Sequence, residues 1–307
     1  MRLIRGIAGL RAPAESCAVT VGSFDGLHLG HQALLQRLAE RAQAARIPAV
    51  VVTFEPLPRE YLQPQDPPAR LTSLRERWRL LSPLPLEYLC VLRFDEALRN
   101  LSAQEFARLL AQRLKARIVV VGHDFRFGRQ GAATAEVLGA AGRNLGFDVE
   151  VLNPVTLAGD RISSSGVRAA LAQADFGRAA RWLGRPWAMR GRVRGGERLG
   201  RTLGFPTANL ALERRRAPVA GVFAVQVHGL GAAARPGVAS LGTRPTVNGT
   251  EALLETHVFD FEGDLYGQEI AVEFVAKLRD EARFDSLESL TAQMHEDAAT
   301  ARRILGI

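Results

Sequence analysis

Two patterns of hydrophobic and polar residues divide the chain. In the first half, continuous apolar runs such as residues 49–54 and 118–122 alternate with segments whose apolar residues recur at helical spacing. After residue 184, short alternating segments separated by glycine-rich turns take over. The first pattern predicts an α/β domain with a parallel, doubly wound sheet, because parallel strands are buried on both faces. The second predicts an antiparallel β-barrel.

The first pattern resolves into individual elements. A helix opens at about residue 31, and its apolar face is formed by Ala33, Leu34, Leu35, Leu38 and Ala42. The predicted strands cover residues 18–21, 49–54, 86–92, 118–122 and 148–152. The further predicted helices cover residues 71–81, 103–115 and 132–145. Ser102 and Glu105 have the spacing of a capping box at the start of the second of these helices.

The second pattern predicts six strands and a terminal helix. The strands cover residues 189–194, 205–210, 221–230, 237–241, 253–261 and 268–278. The helix runs from about residue 287 to 305, with Ser286 as its cap. Because Ser289, three residues later, is neither an acid nor an amide, we expect no full capping box. Gly184 and Pro186 break the chain between the patterns, which predicts domains at residues 1–184 and 185–307.

Composition and charge narrow the class of protein. The 307 residues are 47% hydrophobic and 23% charged, as in globular proteins, and no apolar run approaches a membrane span. The net charge of +8 comes almost entirely from arginines spread along the chain, without a basic stripe, so we expect no nucleic-acid partner.

The two cysteines, Cys17 and Cys90, lack metal-ligand spacing and are predicted to be buried free thiols in a cytoplasmic protein. The oligomeric state is left open.

A strand, a tight turn and a helix start meet in residues 19–31, which read VTVGSFDGLHLGH. Gly22 and Gly26 allow the backbone to bend or to approach a ligand. His28 and His31 flank Gly30 where the helix begins, and a helix start offers unpaired N–H groups to an anion. The stretch therefore favours a polyphosphate site at which one phosphate bridge is broken. The alternative is a structural turn whose histidines only cap the helix.

A second motif, GHDFRFG, follows the predicted strand that ends at residue 122. Phe125 and Phe127 could sandwich an isoalloxazine or adenine ring, and Asp124 could accept a hydrogen bond from it. Alternatively, the two phenylalanines anchor a loop to the core. The chemistry of the residues favours neither interpretation.

A third motif, RISSSGVR, opens a helix at residues 161–168. A serine run before a helix is usually an N-cap. In the functional interpretation, Ser164 binds phosphate and Arg168, one turn later, neutralises charge on departing pyrophosphate.

The second half contains a glycine-rich loop before a polar strand edge. The glycines of this loop, Gly195, Gly200 and Gly204, would let backbone N–H groups approach phosphates. Thr207 and Asn209 project from the same face of the following strand, and their oxygens suit Mg²⁺. The alternative is a β-turn followed by a polar edge strand.

One carboxylate stands in the middle of a later predicted strand. Alternation places Glu255 on one face with His257 and Phe259. A mid-strand carboxylate beside aromatic residues lies either at a barrel rim or in a functional site. We expect His257, like His228 and His295, to be structural.

Several of these strings resemble one protein family. The HLGH of residues 28–31 is similar to the HxGH signature of nucleotidyltransferases and class I aminoacyl-tRNA synthetases. The longer string GSFDGLHLGH resembles the bacterial bifunctional riboflavin kinase/FAD synthetase family more narrowly. The segments GHDFRFG, ISSSGVR, PTAN and ETH also follow that family, with Ser165 where threonine is common. The resemblance extends over about residues 15–305.

The resemblance implies a Rossmann-like nucleotidyltransferase domain followed by a riboflavin kinase barrel. It implies that the barrel phosphorylates riboflavin to FMN with Mg²⁺ and ATP, and that the first domain joins FMN to the AMP part of a second ATP, giving FAD and pyrophosphate. It also implies the following site residues. The catalytic residues are His28, His31, Arg168 and Glu255, with Glu255 as base. The adenylyltransferase residues that bind ATP are Gly22, Phe24, Asp25, Gly26, His28, Gly30, His31, Ser164 and Arg168. The residues that bind flavin there are Asp124, Phe125 and Phe127. The kinase residues that bind ATP are Gly195, Gly200, Gly204, Thr207 and Asn209, with Thr207 and Asn209 as metal ligands.

Three positions depart from the family pattern. Leu57 and Arg194 stand where histidine is frequent, and Ser240 stands where asparagine is common. The alternatives are another small-substrate nucleotidyltransferase, a non-catalytic flavin-binding protein and a synthetase-like protein. The last is disfavoured because the chain has only two lysines, Lys115 and Lys277, neither in a suitable closing loop.

Overall fold

A computed structural model describes residues 1–6, 15–195, 203–214, 216–246 and 249–307. The chain forms two compact units. The first contains Met1–Pro68 and Leu74–Ser163, and the second contains Ala69–Ser73 and Ser164–Ile307. The second unit thus includes two helices that the sequence pattern assigns to the first domain; the predicted boundary at residue 184 stays a prediction.

A parallel six-stranded sheet forms the centre of the first unit, as the apolar runs predict. Its strands are β1 (Arg2–Arg5), β2 (Cys17–Val21), β3 (Ala49–Glu55), β4 (Tyr88–Arg93), β5 (Ala116–Gly122) and β8 (Asp148–Leu152). They lie in the order β1-β4-β3-β2-β5-β8, and every neighbouring pair is parallel. Two small hairpins follow the sheet strands: β6 (Arg126–Phe127) with β7 (Ala133–Thr134), and β9 (Thr156–Leu157) with β10 (Asp160–Arg161).

Helices cover both faces of this sheet. They are α1 (Leu29–Ala45), α2 (Pro58–Leu62), α3 (Leu74–Leu81), α4 (Glu96–Arg99), α5 (Ala103–Arg108) and α6 (Ala135–Leu145). The predicted helix over residues 103–115 changes to a π-helical turn, Leu109–Arg113. Its predicted capping box is confirmed, because Ser102 Oγ accepts from the backbone N–H of Glu105 and Glu105 Oε2 accepts from that of Ser102.

The side chains of the central strands point alternately to two apolar clusters. Val19 and Val50 belong to one cluster, and Val51 belongs to the other, with Leu35 and Leu38 of α1. Cys17 and Cys90 are free and fully buried, as predicted. Burial raises the pKa of each thiol to about 12, so both stay protonated in the folded protein.

The second unit contains a closed antiparallel barrel. Its strands are β11 (Ala188–Arg194), β12 (Ala208–Ala211), β13 (Gly221–His228), β14 (Arg235–Thr246), β15 (Gly249–Val258) and β16 (Glu269–Arg279). They close in the order β11-β12-β15-β14-β13-β16, and β16 pairs again with β11. The helices of this unit are α7 (Ser164–Ala172), α8 (Phe176–Leu183) and α9 (Leu287–Leu305). None of the helices within the described ranges is long and apolar enough to cross a membrane.

The terminal helix α9 packs against the barrel. Ala298 and Ala301 contribute to a small apolar cluster with Phe259, and Asp297 forms an ion pair with Arg279 of β16. The expectation of no full capping box is wrong: Ser289 Oγ accepts from the backbone N–H of Ser286 at 3.4 Å. A serine hydroxyl can also accept a hydrogen bond, and here it lies close enough to replace the longer side chain.

Candidate functional site

Two of the sequence motifs start from neighbouring strands of the parallel sheet. From β2, the chain builds β3 and β4 to one side and β5 and β8 to the other. The sheet therefore has its switch point between β2 and β5, where Val19 is opposite Val119. Ligands of open α/β sheets bind beyond the carboxyl ends of the strands at such a point. The turn after β2 and the GHDFRFG segment after β5 both begin there.

The turn after β2 folds over its own aromatic side chain. Phe24 is fully buried, and a Cβ added to Gly22 would lie 3.2 Å from the Phe24 ring, so a larger residue would displace the ring by a few tenths of an ångström. Phe24 and Leu27 have positive φ values of 49° and 45°, and Gly26 has 81°. Left-handed conformations are unfavourable for the two larger residues. Packing and hydrogen bonding must therefore hold the turn in place.

The two histidines form a stacked pair at the start of α1. The imidazole rings lie 3.7 Å apart between centroids with an interplanar angle of 18°, and Phe24 packs edge-on against His31. His28 is the N-cap, and its Nδ1 accepts from the backbone N–H of His31 at 3.3 Å. In this role Nδ1 carries no hydrogen, so a proton on the ring resides on Nε2. His28 thus caps the helix and also presents a donor at the helix start.

Gly30 leaves little room for a side chain beside the His28 ring. A Cβ at this position would lie 3.2 Å from both Cε1 and Nδ1 of His28. The glycine therefore leaves space for the imidazole in its stacked position. Asp25 and Gly26, also predicted to bind ATP, are buried within the same turn.

The two phenylalanines of the GHDFRFG segment differ in burial. Phe127 is buried in the core beside Phe106, whereas Phe125 is half-buried. Their rings are stacked with centroids 5.5 Å apart. Inserting a third ring needs about 7 Å between the outer two, since each stacking contact takes about 3.5 Å. In this conformation the pair does not enclose a ring, and Phe127 anchors the segment.

Asp124 lies at the surface of this segment. Its side chain is 64% exposed, and its Oδ2 accepts from Arg161 Nη2 at 2.6 Å. Arg161 ends the second hairpin, so the pair ties the loop after β5 to the segment that precedes Ser164. The structure thus gives this predicted flavin-binding acid a cationic partner from the third motif.

Ser164 and Arg168 belong to the second unit, whereas the histidines belong to the first. Ser164 is the first residue of α7. Arg168, one turn later, donates from Nε to the carbonyl oxygen of Ala69 at 2.6 Å. This hydrogen bond fixes the direction of the guanidinium.

In the barrel, Asn209 and Glu255 are directly opposite each other. Asn209 of β12 pairs in register with Glu255 of β15, and Glu255 pairs on its other side with Ser240 of β14. Asn209 and Glu255 are half-buried, while Thr256, which follows Glu255, is fully buried. The amide and the carboxylate therefore share the outer face of neighbouring strands. Thr207 is half-buried and directly precedes β12, two residues before Asn209.

This group of side chains has the chemistry of a magnesium site. A hydroxyl and an amide oxygen beside a carboxylate are hard oxygen ligands, and their partial exposure leaves room for water and phosphate oxygens. Within the described residues, no three His, Cys, Asp or Glu side chains form a conventional metal cluster. Hydroxyl and amide oxygens are hard ligands, and their chemistry suits a hydrated Mg²⁺ better than a transition metal that prefers nitrogen or sulfur.

His257 supports the segment that carries Thr207. Its Nδ1 lies 2.9 Å from the carbonyl oxygen of Pro206, and since a carbonyl only accepts, Nδ1 donates. Phe205 packs edge-on against the same ring. These contacts fit the structural role expected for His257.

The glycine-rich loop before β12 is only partly described. Gly204 has a positive φ of 83°, and Gly195 is exposed with open space where a Cβ would be. Gly200 lies outside the described residues.

Sequence reasoning missed Arg77 of α3. This side chain has no exposed surface and donates to the carbonyl oxygen of Ser23, within the turn after β2. It stands in the charged sequence LRERWRLL, in which nothing distinguishes it from its neighbours. Only the fold identifies it.

Comparison with known proteins gives matches to both halves of the chain. A family model described as FAD synthetase matches residues 10–166, and one described as riboflavin kinase matches residues 183–305. The bifunctional riboflavin kinase/FMN adenylyltransferase of Escherichia coli (strain K12) is 46% identical over 309 residues, covering 100% of this chain and 99% of that protein. The protein of the same name from Pseudomonas fluorescens is 47% identical over 306 residues, covering 99% and 98%. A crystal structure described as a macrolide-efflux protein from Streptococcus pneumoniae is 33% identical, with a TM-score of 0.79 and coverage of 98% and 99%.

Proposed function

Because the chain belongs to the family of bifunctional riboflavin kinase/FMN adenylyltransferases, we propose that it makes FMN from riboflavin in the barrel and converts FMN to FAD at the parallel sheet. One observation carries this proposal: two different family models match successive parts of one chain, residues 10–166 and 183–305. Another small-substrate nucleotidyltransferase would leave the second match unexplained.

In the kinase step, the 5′-hydroxyl of riboflavin attacks the γ-phosphorus of ATP. The new bond joins the ribityl oxygen to phosphorus, the bond to the β-phosphate oxygen breaks, and ADP leaves. Glu255 takes the hydroxyl proton, and Thr207 and Asn209 would hold Mg²⁺, which would neutralise phosphate charge when bound. The register pair of Asn209 and Glu255 supports this division of roles, because it keeps metal ligand and base on adjacent strands.

In the adenylyl transfer, a phosphate oxygen of FMN attacks the α-phosphorus of a second ATP. The bond to the bridging oxygen breaks, and pyrophosphate leaves with the electron pair. A phosphate monoester is already a nucleophile, so this step needs no general base. His28 and His31 stabilise the departing charge with the N-terminus of α1, and we assign the same task to Ser164 and Arg168.

We assign the flavin of this second step to the segment after β5. Its ring lies against the accessible side of Phe125, while Phe127 holds the segment to the core and Asp124 accepts a hydrogen bond from the ring. The free buried thiols Cys17 and Cys90 fit a reducing compartment, and we propose the cytoplasm.

Separate loss of the two activities tests the proposal. We expect His28→Ala to abolish FAD formation and keep FMN formation, and Glu255→Ala to do the reverse when FMN is supplied. The flavins are separated by chromatography after incubation with riboflavin or FMN, Mg²⁺ and ATP. Glu273→Ala is the matched control for Glu255→Ala, because Glu273 is a barrel carboxylate paired with His228. Loss of both activities in either folded site variant would contradict the two-site assignment.

A further inference from the structure

A buried cation lies beneath the adenylyltransferase turn. Arg77 is among the largest fully buried side chains of the described residues, although arginine is rarely buried without compensating partners. Burying a guanidinium is unfavourable unless its donors are satisfied. The contacts of Arg77 therefore show which groups satisfy the donors of its buried guanidinium.

Those contacts join the turn after β2 to the carboxyl end of β3. Nη1 donates to the carbonyl oxygen of Ser23 at 3.0 Å and to Thr53 Oγ1 at 2.9 Å. Thr53 Oγ1 itself donates to the Ser23 carbonyl at 3.3 Å, so the three groups form a closed triangle. Nη2 donates to Glu55 Oε2 at 2.7 Å, and both Nη atoms approach the carbonyl oxygen of Phe54.

We propose that Arg77 is a positioning residue for adenylyl transfer, which fixes the turn that presents His28 and His31 to the nucleotide. The inference rests on the proposed function of this turn. Ser23 directly precedes Phe24, whose positive φ is one of the two unfavourable non-glycine conformations of the turn. Such a backbone persists only where its surroundings hold it. Arg77 stabilises this backbone from α3, which lies outside the sequence motif of the turn.

Arg77 also acts on charge at the same edge of the sheet. Glu55 is the last residue of β3, at the carboxyl edge of the sheet beyond which the triphosphate is proposed to bind, and its side chain is 33% exposed. A lone carboxylate there would repel the nucleotide. The ion pair with Arg77 neutralises it. Arg77 thus contributes both a fixed turn geometry and a neutral edge.

Three substitutions separate these contributions. Arg77→Met removes both the contacts to the turn and the positive charge. Arg77→Lys keeps the charge but loses the forked guanidinium, which reaches several acceptors at once. Glu55→Gln removes the carboxylate and leaves the contact of Arg77 to Ser23. Arg37→Lys is the matched control, because Arg37 pairs with Glu150 in the same unit.

The experiment measures kcat and KM for FAD formation from FMN and ATP, together with FMN formation from riboflavin in the same preparations. We expect Arg77→Met to lower kcat/KM for FAD formation by about a hundredfold, as a displacement of about 1 Å can do. Arg77→Lys should lower kcat mainly, with KM for ATP within about twofold of the unmodified chain, because the edge stays neutral. Glu55→Gln and Arg37→Lys should keep kcat within about twofold. Amide hydrogen exchange in residues 22–31 should accelerate in both Arg77 variants and not in Arg37→Lys.

The kinase activity of each variant decides between positioning and general stability. Kinase activity should stay within about twofold in every variant, so a parallel fall of both activities would overturn the inference. Unchanged FAD formation in Arg77→Met would by itself overturn the inference. Unchanged hydrogen exchange of residues 22–31 in the Arg77 variants would also overturn it. If the unmodified chain makes FMN but no FAD, the proposed function of the turn fails, and the inference fails with it.

Discussion

Gly30→Ala offers a sensitive test of the histidine pair, because it adds one methyl group beside His28. The added Cβ would lie 3.2 Å from Cε1 and Nδ1 of the imidazole. Carbon atoms pack best at about 3.5–4.0 Å, so the ring must move by about 0.4 Å. His31 is stacked on the same ring at 3.7 Å between centroids, which limits its movement. The methyl group therefore weakens the His28 Nδ1 contact to the backbone N–H of His31.

The effect on stability should be small, since two terms oppose each other. Replacing a helical glycine by alanine stabilises a helix by about 0.5–1 kcal/mol. Weakening the His28 cap costs about 1 kcal/mol, the usual value of an N-cap. We therefore expect the thermal midpoint to change by less than about 4 °C. No opposing effect compensates for the displaced imidazole in the reaction itself. A displacement of about 0.4 Å should therefore lower kcat for FAD formation about five- to tenfold.

The assay compares FAD formation from FMN with FMN formation from riboflavin in the same preparation. The ratio of the two rates cancels errors in protein concentration and folded fraction. Gly139→Ala is the matched control: Gly139 lies in α6, and its Cβ would lie in ordinary contact, 4.0 Å from Cβ of Val149 in β8. A folded Gly30→Ala protein that makes FAD at the unmodified rate would refute the role we give to the stacked imidazoles.

Three further predictions concern packing, thiol reactivity and the pH dependence of stability. Gly166→Ala should lower the free energy of unfolding by about 1–3 kcal/mol in a denaturant titration, because its Cβ would lie 2.0 Å from Trp182 Cζ3; an unchanged titration midpoint would contradict the packing of α7 on α8. Cys17 and Cys90 should react with an aromatic disulfide reagent at pH 8 only after unfolding, and fast reaction of the native protein would show that they are accessible. Because burial raises the pKa of both thiols to about 12 while unfolded thiols ionise near 9, their contribution to stability is complete below pH 9 and is lost as the pH rises towards 12.

The sequence predicted the elements whose spacing is regular. Alternation and continuous apolar runs were enough for β3, β5 and the barrel strands, although bounds differ by a few residues. The strand β1 was missed because its sequence, RLIR, carries two arginines at an exposed edge of the sheet. The π-helical turn after α5 was missed because its apolar spacing resembles that of an ordinary helix.

The candidate sites were predictable where adjacent residues carry the chemistry. His28 and His31 are one helical turn apart, so their proximity follows from local geometry. The opposition of Asn209 and Glu255 depends on strand order and register, which no local pattern specifies. The link from Arg77 to Ser23 spans 54 residues between a helix and a turn, and it becomes visible only when both elements are packed.

The pairing of Asn209 with Glu255 affects how the proposed kinase site tolerates change. Backbone hydrogen bonds between β12 and β15 set the spacing of the two side chains, so variation in the surrounding loops leaves that spacing intact. A slip of β12 by one residue would turn Asn209 inwards and bring Ala208 to the outer face. Such a slip would also expose Leu210 and bury the Asn209 amide, so the packing of the barrel core preserves the register on which the proposed phosphate transfer depends.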